Sequence, residues 1–256
     1  CVDTDTSRRC GQCSVACSSS EICSVGRCVP RVTAIAAQEQ RTCSSQNGLL
    51  KCWGRNDKGQ LGYGDTAPRE APSVAPIDLG VGRTARSVAP GEDHLCALLD
   101  NGTVKCWGYN GAGQLGYGDT TQRTAPSVDS IDLGVGRFAK SISAGGSFTC
   151  ALLDNNTIKC WGANQYGQCN VPALPAGLTW QQVAAGSVHS LYLRSDGLIF
   201  ARGSNHALQL AVPSLPAGLT YVAIDAKEDS SAALRNDGAL LTWGNVAGTH
   251  VPSAGT

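Results

Sequence analysis

Cys96-Ala-Leu-Leu-Asp-Asn-Gly-Thr-Val-Lys-Cys106-Trp-Gly108 reads as a β-hairpin with a cysteine at each foot. Two β-rich runs flank Asp100-Asn101-Gly102, a three-residue loop with Gly where a left-handed backbone is needed. Folding about Asn101 sets Cys96 opposite Cys106. The same text returns upstream with its loop cut by one residue. There the turn is Asn47-Gly48, the two-residue type I′ signal, and it sets Cys43 opposite Cys52. Downstream, Asp154-Asn155-Asn156 sets Cys150 opposite Cys160. In two further copies Leu191 falls opposite Ala201, and Ala232 opposite Thr242. Cysteines are thus kept or lost as couples. Independent buried cysteines would leave half-pairs, so the spacing predicts three hairpin disulfides: Cys43–Cys52, Cys96–Cys106 and Cys150–Cys160.

Around each hairpin the context also repeats. The glycines that close it are Gly54, Gly108, Gly162, Gly203 and Gly244, so the period is 54 residues twice and then 41 twice. A small apolar strand precedes each hairpin, such as Ser87-Val88-Ala89 or Val183-Ala184-Ala185. Small residues suit the crowded inner strand of a blade. Gly and Asn follow each hairpin, and Gly-Gln-Leu comes next at Gly59–Leu61 and Gly113–Leu115, with Gly-Gln-Cys at Gly167–Cys169. Short strands with turn residues at a fixed period predict an all-β, β-propeller-like array of five repeat units. The first two units each carry about thirteen more residues, rich in Gly, Pro and Asp, which read as loop or edge strand.

Residues 1–30 follow a different rule. Cys1, Cys10, Cys13, Cys17, Cys23 and Cys28 stand among Ser, Thr, Asp, Arg and Gly, with almost nothing apolar. Such a segment needs crosslinks in place of a core. A cysteine-rich disulfide module over 1–30 and a repeat domain over 31–256 are therefore expected. The six cysteines allow 15 pairings, among which sequence does not choose. Zinc is the rival reading, since Cys10 and Cys13 have ligand spacing. No second such pair and no nearby His supports it.

The chain has 20 basic and 20 acidic residues among 256, and no Met. Zero formal charge argues against a nucleic-acid face, which needs clustered Lys and Arg. No apolar run approaches the ~18 residues of a membrane-spanning helix. Thirteen cysteines argue for an oxidising compartment, hence a secreted or cell-surface location.

The stretch Ala97 to Asp119, Ala-Leu-Leu-Asp-Asn-Gly-Thr-Val-Lys-Cys-Trp-Gly-x-Asn-x-x-Gly-Gln-Leu-Gly-x-Gly-Asp, resembles the regulator-of-chromosome-condensation repeat. The short units, with Val171-Pro172 and Val212-Pro213, are similar to the β-lactamase-inhibitor branch of that superfamily. The first 30 residues resemble six-cysteine modules of secreted bacterial surface proteins. The resemblance implies a propeller of four-stranded blades, usually seven. Five units leave three outcomes open: a closed ring, blades supplied by further chain, or head-to-tail packing of molecules, which makes filaments where the rotation does not close. Charge, cysteines and repeat type speak against the family's nucleotide-exchange function.

Candidate sites follow from what the architecture leaves over. Cys169 is the odd thirteenth cysteine, at the repeat position of Leu61, Leu115 and Leu210. It reads as a buried free thiol or as an inter-chain or inter-module bridge, with Cys1 its natural partner; Cys1 is alternatively a lipid anchor. Tyr63, Tyr109, Tyr117, Tyr166 and Trp180 lie in or near loops, where aromatics on a rigid scaffold anchor partners or pack between blades. His94 and His189 share a variable repeat slot and read as packing residues. Asp65 and Asp119 read as turn caps rather than calcium ligands. Asn101 and Asn155 fit the glycosylation pattern, although the turn itself calls for Asn. No catalytic triad, paired carboxylates or metal-ligand cluster emerges. The expectation is a non-enzymatic extracellular structural or adhesive protein without cofactor, self-associating or binding an extracellular protein or glycan. The second reading is a secreted, inhibitor-like binding module that works through its loops.

Overall fold

A computed structural model describes the backbone of residues 9–10, 15–16, 21–24, 27–30 and 32–33, and every residue from 34 to 245. Cys1, Cys13 and Cys17 lie outside the described residues, and so does the pairing of all six N-terminal cysteines. Strands Glu21–Ser24 and Arg27–Pro30 form a hairpin that aligns Cys23 with Cys28.

From Val32 onward the chain is all-β, with five antiparallel three-stranded sheets in sequence order. Blade 1 comprises Val32–Gln38, Arg41–Gln46 and Leu49–Gly54. Blade 2 comprises Ala85–Pro90, His94–Leu99 and Val104–Gly108. Blade 3 follows with Ala139–Ala144, Phe148–Leu153 and Ile158–Gly162. Blade 4 is Trp180–Ala185, His189–Arg194 and Ile199–Gly203, and blade 5 is Tyr221–Lys227, Ser230–Arg235 and Leu240–Gly244. The first strand of each blade is the inner one, and it packs against the inner strand of the next blade. No comparable contact joins the inner strands of blades 1 and 5. The array is a run of blades with two ends.

The register explains the cysteines. Cys43 aligns with Cys52, Cys96 with Cys106, and Cys150 with Cys160. Each pair is of the kind that does not exchange backbone hydrogen bonds, where side chains come closest. All three are disulfides with Cα atoms 4.1 Å apart. In blade 4 the same places hold Leu191 and Ala201, and in blade 5 Ala232 and Thr242.

Each core lies between blades, not within one. Cys43, Cys52 and Leu50 of blade 1 bury against Leu95, Ala97, Leu99 and Trp107 of blade 2. Cys96, Cys106 and Val104 bury against Ala139, Ala151 and Leu153 of blade 3. The disulfide face of one blade is thus the floor for the next. Polar pins cross the same joints. Trp107 donates its indole N–H to the Gln60 carbonyl, Trp161 to Gln114 and Trp243 to Gln209. Blade 4 has Arg202 in the Trp slot, and there the hydroxyls of Ser190 and Tyr192 both reach the Gln168 carbonyl instead. The Asn-x-x-Gly-Gln-Leu motif is a self-bonded loop: the Asn110 side-chain oxygen accepts from the Leu115 N–H, and the Gln114 oxygen from the Ala112 N–H. Gly62 and Gly116 complete it, because a Cβ there would lie 2.5 or 2.6 Å from the indole nitrogen of Trp107 or Trp161.

The expected four-stranded blade is not what forms. Blades 1 and 2 carry only an isolated bridge in place of a fourth strand, Gly54 to Arg69 and Gly108 to Arg123. The long insertion supplies that bridge, and blades 3 to 5 have no insertion.

Candidate functional site

The turns between inner and middle strands gather at one mouth of the array. They are stitched to each other blade by blade. Glu92 N–H donates to the Gly146 carbonyl, Gly146 to Ser187, and Ser187 to Glu228. A main-chain rim results that needs no particular side chain. Inside it lies a depression of about 580 Å³ lined by all five inner strands. Its charged lining is Glu39, Glu92, Asp225 and Glu228 against Lys227. Burial raises the Glu92 carboxyl above its usual range, and the nearby Glu39 and Asp93 add to this. The mouth is therefore an electronegative bowl.

Charged and aromatic groups stand on the loops that follow the outer strands of blades 1 to 4. Arg55 bridges Asp93 at 3.1 Å and Glu39 at 3.5 Å, tying blade 1 to blade 2. His206 sits 3.2 Å from Asp229 on blade 5. Tyr109 is 40% exposed with Lys58 beside its ring, and Tyr166 is 56% exposed. These two tyrosines present themselves to solvent as partner anchors would.

The other three aromatics have internal tasks, and burial corrects the reading of Trp180 as a partner contact. Trp180 is buried against Tyr192 and Phe200. The Tyr63 hydroxyl accepts from the Cys52 N–H and donates to its carbonyl, and Tyr117 accepts from Cys106. Arg69 and Arg123 stack on their rings at 4.2 Å. These tyrosines cover a sheet edge. The legible signal was Tyr-x-Gly-Asp followed by Arg, recurring at Tyr63–Arg69 and Tyr117–Arg123 with the repeat period. Asp65 and Asp119 each hold that Arg in a two-pronged ion pair and accept from Asn56 or Asn110. No group of metal ligands occurs among the described residues.

His94 and His189 are buried. Their Nε2 atoms meet Thr149 at 2.9 Å and Ser231 at 2.8 Å, each a hydroxyl of the next blade. Burial lowers the pKa of His94 to about 3 and of His189 to about 4, so both are neutral pins. Cys169 is a free, half-buried thiol whose pKa burial raises to about 12. Asn101 and Asn155 turn their side-chain oxygens onto Thr103 and Thr157, shaping the hairpin tips.

The fold and its loops define a repeat β-propeller-type array. Two profiles, each described as the Regulator of chromosome condensation (RCC1) repeat, match it. One covers residues 47–98 and 101–152, the other 85–114, 139–168 and 180–209. Together they span more than half the chain, which belongs to the RCC1-repeat family. The Protein RCC2 homolog of Danio rerio is 37% identical over 123 residues, covering 47% of this chain and 24% of that protein. The Ultraviolet-B receptor UVR8 of Arabidopsis thaliana is 31% identical over 137 residues, 53% of this chain and 30% of its own. The chain spans a quarter to a third of the length of these relatives. Among solved structures, Prp20p of Saccharomyces cerevisiae superposes with a TM-score of 0.71 at 24% identity, covering 84% of this chain and 58% of that one. The receptor kinase CR4 ectodomain of Physcomitrella patens gives 0.58 at 25%, covering 84% and 52%.

Proposed function

We propose that the chain is a non-enzymatic, extracellular adhesive module that holds a cationic segment of a partner protein, or a cationic glycan, against its mouth. One observation carries the reading: the exposed Tyr109 is held on a turn of the rim, its N–H on the Asp93 carbonyl, and the bowl inside that rim is acidic. Rigid aromatic anchors with complementary charge are what a binding surface needs. Three disulfides and the six-cysteine N-terminal segment favour an oxidising compartment, as in secreted bacterial surface proteins. The likeness to a receptor ectodomain agrees with that location. Prp20p was studied for its binding to Gsp1p and histones, so protein binding is a use to which this fold is put. The short units and loop-borne contacts keep the inhibitor-like version of this reading, in which the partner is one specific protein.

The test is a pull-down of extracellular proteins on the immobilised chain, repeated with Y109A/Y166A and with E39Q/E92Q/E228Q. Partners retained by the native chain and lost by both variants support the reading. Retention by both variants overturns the mouth as the site. Mass mapping of native material that finds Cys43, Cys96 and Cys150 as thiols overturns the location.

Self-assembly into a filament is the second reading, favoured by the last blade. Leu234 and Leu240, on the face where a sixth blade would pack, are 37% and 67% exposed. Sedimentation of the purified chain across a concentration series tests it: a mass that stays monomeric removes it.

A further inference from the structure

The outer strands of blades 1 and 2 present a row of backbone groups that the chain itself covers. In blade 1, Ile77 N–H donates to the Leu50 carbonyl, Tyr63 serves both Cys52 groups, and Arg69 exchanges two bonds with Gly54. In blade 2, Ile131 N–H donates to the Val104 carbonyl, the Tyr117 hydroxyl accepts from the Cys106 N–H, and Arg123 exchanges two bonds with Gly108. The result is a blade-2 outer strand buried along its whole length.

The outer strand of blade 3, Ile158–Gly162, has no such cover. The connection that follows is short, and Val171 stands in the slot of Tyr63 and Tyr117. The strand is only half-buried, with Lys159 exposed. By the repeat register, the carbonyl of Ile158 and both backbone groups of Cys160 and Gly162 point outward. Among the described residues none of them meets a hydrogen-bond partner. Beside this edge runs a groove of about 590 Å³, walled by the blade-2 insertion with Tyr117, Asp129, Ile131 and Asp132, and floored by Lys159 and Trp161. One joint earlier the equivalent space is filled. There Thr124 of blade 2 lies close against Gly59, and its carbonyl accepts from Gly64 N–H. The equivalent donor on the blade-2 wall, Gly118 N–H, has no described acceptor.

We propose that this edge and groove dock an extended, arginine-bearing peptide segment of a partner protein, which adds a fourth strand to blade 3. The chain shows the template twice, in Arg69-x-Ala-Pro-Ser-Val74 and Arg123-x-Ala-Pro-Ser-Val128. Each of these puts Arg on the terminal Gly of an outer strand and small residues behind it. Main-chain bonds to an open sheet edge supply affinity in such strand addition, and side-chain pockets supply selectivity. Charge sets the sign of the ligand. Asp119 is already paired with Arg123, whereas Asp129 and Asp132 of the groove are in no described ion pair. Blades 4 and 5 also lack the insertion, but no insertion wall precedes them, so blade 3 is the place where an edge and a groove coincide.

The probe is a fluorescein-labelled peptide of the chain's own residues 120–128, Thr-Thr-Gln-Arg-Thr-Ala-Pro-Ser-Val, titrated with the full chain by anisotropy. Saturable binding is expected, together with slowed amide exchange at Gly162. The peptide with Arg replaced by Glu should bind about tenfold more weakly, and so should the native peptide to D129K/D132K, whose changes lie on exposed residues. Val171→Tyr restores the missing cover and should weaken binding about tenfold as well. Failure to saturate, equal binding of a scrambled peptide, or full affinity in D129K/D132K overturns the proposal. A concentration-dependent dimer that excludes the peptide also overturns it, because the edge then belongs to a second copy.

Discussion

Blades 1 and 2 show the same surface built for opposite surroundings. Toward blade 1, blade 2 turns Leu95, Ala97, Leu99 and Trp107, all fully buried. At the matching register blade 1 turns Thr42, Ser44, Gln46 and Trp53 toward no described blade. Ile35, in the slot of Val88, is 75% exposed, whereas its counterparts Val183 and Ile224 in blades 4 and 5 are buried. Ser44 and Gln46 stand where blades 2 and 3 have Ala and Leu and mark blade 1 as an end, whereas the slot of Thr42 also holds the buried Thr149, Ser190 and Ser231 of blades 3 to 5. Repeat arrays need such caps, because each unit buries its face only on a neighbour. Blade 5 is less thoroughly converted: its outward face mixes Asp225 and Thr242 with Leu234 and Leu240. The two ends are therefore unlike.

The largest expected effect comes from exchanging these two faces. L95T/A97S/L99Q gives blade 2 the surface of blade 1 inside a sealed joint. Each buried leucine lost costs about 3 kcal/mol, and each stranded polar group adds to that. The total exceeds what most domains have in reserve. Cooperative unfolding should vanish or split into two transitions. The reciprocal T42L/S44A/Q46L should fold with little change in melting temperature and should self-associate. A monomeric reciprocal variant would show that these residues are not a cap.

Second comes pH. The first residue of the middle strand crosses the joint to the next blade in blades 1, 2 and 4, and its chemistry differs by joint. Arg41 donates to the carbonyls of Gly91 and His94 and stays charged, although burial lowers its pKa to about 10. His94 and His189 cross the 2/3 and 4/5 joints as neutral rings. Both have folded pKa values below the unfolded value of about 6.5, so the unfolded chain takes up the proton first. Stability is intact above pH 6.5 and falls as pH drops toward 4. By pH 5 each histidine should cost about 2 kcal/mol relative to pH 7. Urea unfolding of H94Q and H189Q should each show about half the native pH slope. An unchanged slope in both would move the acid sensitivity elsewhere.

Third is the Trp slot. Trp107→Phe strands the Gln60 carbonyl in a sealed joint, and should cost about 2 kcal/mol. Trp53→Phe, with no described blade beyond it, should cost under ~0.5 kcal/mol. Equal costs would mean that blade 1 is packed against something on its open side.

How much of this could be read in the chain depends on whether one hairpin or two blades hold the information. Loop length and cysteine spacing sit in one hairpin, so the register that joins Cys96 to Cys106 is visible locally. Blade count and order follow from the repeated glycines. The roles of Tyr63 and Tyr117 were hidden, because an exposed loop aromatic and an edge-covering one look alike until the insertion folds back. Trp180 was misplaced for a similar reason: it follows a Pro-rich loop, yet it begins an inner strand. The rim of backbone bonds from Glu92 to Glu228 has no side-chain signature at all. The polar residues Ser44 and Gln46 were present in the text and readable as an end face only once the register showed which face they share.

The smallest effect is expected at Cys169, where blade 3 departs from blades 1 and 2. Leu61 and Leu115 fill this slot completely buried, while Cys169 is half-buried and places its sulfur 3.3 Å from the Ala163 carbonyl. Cys169→Leu adds apolar volume at the margin of the joint and gives up a weak S–H donor. The two changes nearly cancel, so stability should shift by less than ~1 kcal/mol. The native thiol should react slowly with a disulfide reagent at pH 8, because a pKa near 12 leaves about one molecule in ten thousand as thiolate. A rapid reaction would place the sulfur in open solvent. Absence of any titratable thiol in denatured, unreduced protein would mean that Cys169 is bridged, and would tie the odd residue of blade 3 to a second sulfur.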